Sequence, residues 1–317
     1  MLDRRHVLIG LGAVAAPRLA WSDTYPSKPI RVVVGYPAGG AIDMTARMAA
    51  EGLRKRTGQT VVVENRAGAN GAVGLEAVYR AEPDGYTIAV AGASNVSAGP
   101  HLKAMTFDPL TMMPITRLVK APLTLAVSNK LPVSSVAEFV ELAKSRELTY
   151  ASAGIGSSHH LTGELFRLRT GCKLLHVPYK GSGPAVQDLV AGVVDAAFGD
   201  PTLVATGRAG QVKVLGVSSE GRWSLNPDIP AIDETVPGFV SENWYGIWLP
   251  PKTPDPIAAY LYQQIDATMK DETLVSRFHT AGLEPAIMST ADFGNYIERD
   301  SALWKEVVQK AGIQSPG

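Results

Sequence analysis

The chain makes the same kind of strand-to-helix junction twice, and this constrains its fold more than any other feature. Val32-Val33-Val34-Gly35-Tyr36 runs into Pro37-Ala38-Gly39-Gly40-Ala41-Ile42-Asp43 and then a helical pattern. Later, Leu148-Thr149-Tyr150-Ala151-Ser152 runs into Ala153-Gly154-Ile155-Gly156-Ser157-Ser158 and a second helical pattern. β-Branched and aromatic residues favour the strand, glycines let the chain turn, and a capping residue opens the helix. Backbone N–H groups are then left bare at the positive end of a helix dipole, which favours an anion. Two such junctions in one chain can face each other only if it folds into two α/β lobes with a cleft between them. That arrangement suits a small carboxylate.

Strand-like and helix-like segments alternate with short connections, the pattern of parallel-sheet α/β domains, and 317 residues suffice for two of them. Strands are predicted at 30–36, 61–63 and 86–91, with helices at 43–55 and 71–81. The first helix carries Met44, Met48, Ala49 and Leu53 on one face. A second lobe begins with a strand at 123–127, continues with helices at 134–145, 158–170 and 184–191, and has strands at 148–152, 174–177, 194–198 and 212–217. Residues 226–240, rich in proline and acid, read as loop; 244–249 reads as a strand returning to the first lobe; 254–309 is mostly helical. One lobe is therefore expected to comprise residues 23–124 and 246–317, the other 125–245. Chain crossings near 120–126 and 243–249 would form a hinge about which the lobes close on a ligand.

Arg4-Arg5, the apolar run 7–16 and the small-residue pattern Ala20-Trp21-Ser22 have the order of an export signal, with cleavage expected after Ser22. Asp3-Arg4-Arg5-His6-Val7-Leu8 is also close to a twin-arginine motif, and no Cys lies near the cleavage point to take a lipid. Without residues 1–22 the chain keeps 27 basic and 29 acidic residues, with no basic stripe, which argues against nucleic acid as a partner. The single Cys172 cannot form an intramolecular disulfide and reads as a small apolar filler. The expectation is a soluble, exported, monomeric protein of the periplasm.

The ordered set of local sequences resembles the periplasmic solute-binding receptors of tripartite tricarboxylate transporters, the Bug proteins. The matching stretches are Tyr25-Pro26-Ser27-Lys28-Pro29-Ile30-Arg31, Pro37-Ala38-Gly39-Gly40, Val62-Val63-Glu64-Asn65-Arg66-Ala67-Gly68-Ala69, Pro83-Asp84-Gly85-Tyr86, Tyr150-Ala151-Ser152-Ala153-Gly154 and His176-Val177-Pro178-Tyr179-Lys180-Gly181. They span nearly the whole chain. The resemblance implies a two-lobed, Venus-flytrap (type II) binding protein whose ligands are di- and tricarboxylates, acidic amino acids or aromatic carboxylates. It also implies a membrane permease as partner and no metal, nucleotide or other cofactor. Carried over residue by residue, the ligand wall comprises Tyr36, Ala38, Gly39, Gly40 and Asp43 in the first lobe. Ser152, Gly156, Ser157, Ser158, His159, Tyr179, Ser182 and Asp200 supply the second. Ile42 stands where the family often has a hydroxyl residue, and Ser94-Asn95-Val96 where many members carry a His. Both departures soften the polar side of the site, so a less charged or aromatic monocarboxylate fits as well as a citrate-like ligand.

Competing chemistries are weaker. Ser157-Ser158-His159-His160 invites a hydrolase reading, but adjacent residues at a helix start diverge by about 100°. No Gly-x-Ser-x-Gly elbow occurs, and helical metal ligands come at i, i+4 rather than i, i+1. Gly68-x-x-Gly71-x-x-Gly74 has the wrong spacing for a dinucleotide fingerprint and reads as a loop entering a helix. Asp43 is expected to cap its helix and fix the loop rather than meet an anion. Asp200 is expected to hold water, or a ligand hydroxyl or amine. Trp244 and Trp248 read as core. A sensor presenting the acid to a membrane histidine kinase, or an enzyme on the same scaffold, remain the class-distinct alternatives.

Overall fold

The computed structural model describes residues 25–103 and 105–314; the expected export segment and its cleavage point lie outside the described residues. Two sheets organise the chain. The first contains β1 (Ile30–Val34), β2 (Val61–Asn65), β3 (Thr87–Gly92), β4 (Met113–Pro122), β10 (Glu242–Leu249) and the two-residue β11 (Glu284–Pro285), in the order β11-β4-β10-β3-β1-β2. The second contains β5 (Thr124–Ser128), β6 (Leu148–Ser152), β7 (Leu174–Pro178), β8 (Ala196–Gly199) and β9 (Val212–Val217), in the order β7-β6-β8-β5-β9. In the first, β1 runs parallel to both β2 and β3; in the second, β6 runs parallel to β7 and β8. In both sheets the chain-crossing strands add antiparallel: β10 beside β3 and β4, and β5 beside β8 and β9.

Eleven helices cover these sheets among the described residues: α1 (Ala41–Thr57), α2 (Ala72–Tyr79), α3 (Ala93–Val96), α4 (Gly99–Leu102), α5 (Val136–Ser145), α6 (Ser158–Thr170), α7 (Ser182–Ala191), α8 (Thr202–Arg208), α9 (Asp255–Met269), α10 (Glu272–Thr280) and α11 (Thr290–Ala311). None of them is long and apolar enough to cross a membrane. Helices on both faces bury the central strands, apart from Arg31 near the start of β1, which is why Ile30 and Val32-Val33-Val34 form an apolar run rather than an alternation. In α1, the packed face is Ile42, Ala46, Met48, Ala49, Ala50 and Leu53, and Gly58 closes the helix in the left-handed region. Gly35 and Gly74 let α2 lie directly on the end of β1: a Cβ at Gly74 would sit 2.7 Å from the Gly35 Cα. That close approach, together with the left-handed φ of +87° at Gly71, accounts for the glycine spacing at 68, 71 and 74.

The chain crosses between the sheets from β4 to β5 through Leu123, and returns from β9 to β10 through 218–241. The crossings are tied together. Ser218 donates its N–H to the Leu123 carbonyl (2.8 Å), and its hydroxyl accepts the Leu123 N–H (2.8 Å). Ser241 N–H reaches the Ser218 carbonyl at 2.9 Å, and the Ser241 hydroxyl meets Thr162 of α6 at 2.5 Å. A further connection comes from α11. Its Phe293 and Ile297 pack with Trp244 and Trp248 in the first lobe, while Trp304, Val307 and Val308 pack with Leu161, Leu165 and Phe166 in the second. The tail expected entirely in the first lobe therefore ends in a helix shared by both.

Candidate functional site

At the first junction, Gly40 precedes α1 without any side-chain cap. Asp43 is not the N-cap; it lies inside the first turn and is buried, and its carboxylate reaches back into the loop. It accepts the Gly39 N–H, the Arg47 guanidinium and the Asn65 amide, each at 2.9 Å. Burial works to raise its carboxyl, but Arg47, the Gly39 N–H and Asn65 outweigh that and hold it below its ordinary value. Ala38, Gly39 and Gly40 are exposed, and the Gly39 N–H is committed to Asp43. The N–H groups of Ala41, Ile42 and Asp43 have no acceptor among the described residues, as expected for the first turn of an uncapped helix.

The second junction is held more tightly than its glycines suggest. The Gly156 N–H donates to His160 Nδ1 at 3.1 Å, and the Ser157 N–H to the Gly154 carbonyl at 3.2 Å. Ser157 is the N-cap of α6: its hydroxyl accepts the His160 N–H (3.2 Å) and donates to the Gly154 carbonyl (2.7 Å). The Ser152 hydroxyl bonds His176 Nε2 at 2.7 Å and accepts the Gly154 N–H at 3.1 Å. Beneath the loop, the His160 and His176 rings stack with centroids 3.8 Å apart at 11°. Burial pushes both imidazoles down to about 4, and at His176 the neighbouring His160 adds to the effect while Glu164 opposes it. Gly156, Ser157 and Ser152 therefore shape the loop, and the groups left unengaged are the N–H groups of Ser158 and His159 and the Ser158 hydroxyl.

Asp200 follows β8 at the mouth of the same lobe. His159 Nε2 lies 3.3 Å from one carboxylate oxygen, and the Ser182 hydroxyl donates to the other at 3.2 Å. Burial works to raise the Asp200 carboxyl, but His159 and Ser182 outweigh it and hold it charged. Tyr179 is drawn aside, its hydroxyl donating to Asp188 at 2.6 Å. Ser182, His159 and Asp200 thus form one cluster, and Tyr179 does not join it.

The two lobes meet around two cavities. One, of ≈ 540 Å³, is lined by Ala41 and Met44 of α1, by Asp200 and Thr202, and by Asn243 and Tyr245 of β10. The other, of ≈ 560 Å³, is lined by Asn70, Asn95 and the α4 region of the first lobe and by Ile155 and Gly156 of the second. Tyr36 lies beside the second cavity: its hydroxyl donates to the Asn70 carbonyl (3.0 Å) and meets the Ser94 hydroxyl at 2.9 Å. Asn70, Ser94, Asn95 and Tyr245 extend the set expected from sequence. Ser94-Asn95 was visible as a departure from the family pattern. Asn70 and Tyr245 carried no local signal; a register shift in the β4–β10 pairing beside Tyr245 is a structural cue only.

Residues 45–313 match the family model for the tripartite tricarboxylate transporter family receptor, TctC. The chain belongs to this family. Protein BugT of Bordetella pertussis is 34% identical, with 97% of this chain and 96% of BugT covered. Among solved structures, periplasmic binding protein BugD is 33% identical with a TM-score of 0.76, covering 92% of this chain and 100% of BugD. An R. palustris protein solved with adipate is 32% identical with a TM-score of 0.79, covering 92% of this chain and 99% of that one. MatC of Rhodopseudomonas palustris, solved with bound malate, is 28% identical with a TM-score of 0.75, covering 90% of this chain and all of MatC. The fold is accordingly that of a two-lobed periplasmic solute-binding protein, and the family and these neighbours are receptors rather than enzymes.

Proposed function

We propose that this chain is an exported receptor that closes its lobes over a small organic acid and passes it to the permease of a tripartite transporter. The observation that carries the reading is a pair of helix starts with free donors between the lobes: the uncapped start of α1, beside the cavity that Asp200 also lines, and the unengaged N–H groups of α6, which follow Gly156 in the wall of the other cavity. Donors come from the Ala41, Ile42 and Asp43 N–H groups on one side and from the Ser158 and His159 N–H groups with the Ser158 hydroxyl on the other. Charge-assisted hydrogen bonds of this kind are strong, and the helix dipoles add to them. Asp200, held charged by His159, would repel a carboxylate; it takes water, or a hydroxyl or amine of the ligand. Tyr245 lines the cavity at the start of α1, and Tyr36 lies against Asn70 and Ser94 beside the other. The relatives' adipate and malate support the acid class. Delivery to a permease rests on the family, and the periplasmic location on the expected export segment. Both halves of the site come from one chain, so binding needs no second copy.

A thermal-melt screen against di-, tri- and aromatic monocarboxylates, with sugars and cations as controls, tests this. A ligand at 100 times its Kd should add about 2.7 kcal/mol of stability, a shift of several degrees. A shift with acids alone is the expected result. A well-folded sample whose melt no acid moves would contradict the reading.

A further inference from the structure

The cavity beside Tyr36 differs in character from the junctions it adjoins. Its walls from the first lobe are Val73 of α2, Leu102 of α4, Met105 and Phe107; the second lobe adds Ile155. Val73 and Ile155 are 48% and 42% exposed, so each lobe leaves a large apolar side chain bare, and both face this one space. Such exposure is ordinary for isolated residues, but two on opposite lobes lining one cavity mark a place for an apolar group. The lobes already touch here: a Cβ on Gly156 would lie 2.9 Å from Leu102 Cδ1. The polar side chains of Asn95 and Glu76 in the lining are already engaged. Asn95 Oδ1 accepts the Gly92 N–H at 2.9 Å, and Glu76 is held by Arg80 at 2.8 Å and Thr106 at 2.9 Å. Among the described lining residues the cation is Lys103, at the exposed rim. A second or third carboxylate driven into this space would lose its hydration for little return. A hydrocarbon chain or ring would gain by burial.

We propose that this cavity is a tail pocket continuous with the ligand cleft, and that it selects an acid with an apolar tail, a medium-chain or aromatic monocarboxylate, over a citrate-like tricarboxylate. The inference rests on the receptor reading: the acid head stays at the α1 and α6 N-termini, and the tail runs past Tyr36 between Val73 and Ile155. At ≈ 560 Å³ the space is ample for such a tail.

The test is calorimetric titration of the purified chain with straight-chain acids from acetate to octanoate, with benzoate, malate and citrate alongside. Affinity should rise about fourfold per added methylene until the pocket is filled, the factor that corresponds to burying one CH₂. Benzoate should exceed acetate, malate and citrate. Val73→Asn and Ile155→Asn, both at exposed positions that tolerate a polar residue, should each flatten the series. Tighter binding of citrate or malate, or a flat series, overturns the tail pocket while leaving the receptor reading standing. A rising series that neither variant flattens also overturns it, because the tail then lies elsewhere. If none of these acids binds, the receptor reading falls and the tail pocket with it.

Discussion

Asp43 places a negative charge beside a loop proposed to hold an anion, and the surrounding side chains account for how this is tolerated. Arg47, Asn65 and the Gly39 N–H engage its two oxygens, so the carboxylate sets the loop's shape and its charge is compensated locally. Asp43→Ala should lower stability by about 1 kcal/mol, read as a shift in denaturant midpoint at unchanged slope, because it removes the acceptor that Arg47, Asn65 and the Gly39 N–H share. The His160–His176 stack sets the second loop in the same way, and it titrates. Both imidazoles are buried and neutral, with folded pKa values of about 4 against 6.5 for the free side chain. A depressed histidine pKa means that the unfolded chain binds more protons below pH 6.5. Stability should therefore fall as pH drops from 6.5 to 4, by on the order of 2–3 kcal/mol for each histidine. Tyr150, Ser152 and Glu164 also face this pair: Ser152 bonds His176, the Tyr150 ring lies 5.0 Å from His176, and Tyr150 donates to Glu164 at 2.7 Å. Melting curves across that range should show the fall, and His176→Gln should reduce it. The sequence could not show this arrangement: the resemblance put Gly156 and Ser157 in the ligand wall, whereas both N–H groups are spent inside the loop. His160 follows them by one turn of helix, but His176 arrives from the neighbouring strand, a non-local pairing that no local pattern carries.

At the scale of elements, the strand–glycine–helix junctions were legible because each depends on adjacent residues: a β-branched or aromatic run, glycines, then a helical pattern. The second junction demands glycine for two reasons. Gly156 has a φ of +78°, and a Cβ there would press on Leu102 of the facing lobe. Gly156→Val should leave the secondary structure unchanged by circular dichroism yet weaken acid binding at least tenfold, because it distorts the loop that aims the Ser158 and His159 N–H groups. Wild-type affinity in that variant would remove the second junction from the site. Strand β4 was missed. Pro114 and Pro122 near its ends argue against a strand, and Thr116, Arg117 and Lys120 interrupt its apolar residues; the pairing with β10 overrides these local preferences. The seven-residue α8 is too short to show a periodicity. The spacing of the glycines at 68, 71 and 74 suggests a loop leading into a helix; the structure adds that Gly74 permits contact with Gly35, a close approach between elements that single-chain spacing does not reveal.

At the scale of the whole molecule, the two-lobed fold followed from the repeated junction and the βα alternation. What followed less well was how the lobes are joined. The crossings at Leu123 and 218–241 are pinned by Ser218 and Ser241, and α11 bridges both cores. Ser218→Ala removes the hydroxyl that accepts the Leu123 N–H, and should lower the melting temperature by several degrees through a buried group left unpaired. The central claim, that an acid is gripped from both lobes at once, is tested most directly by a crystal structure of the chain with a bound acid. The account predicts a carboxylate about 2.7–3.2 Å from N–H groups of Ala41, Ile42 or Asp43 on one side and of Ser158 or His159 on the other. An acid seated on one lobe alone, or away from the starts of α1 and α6, would contradict it.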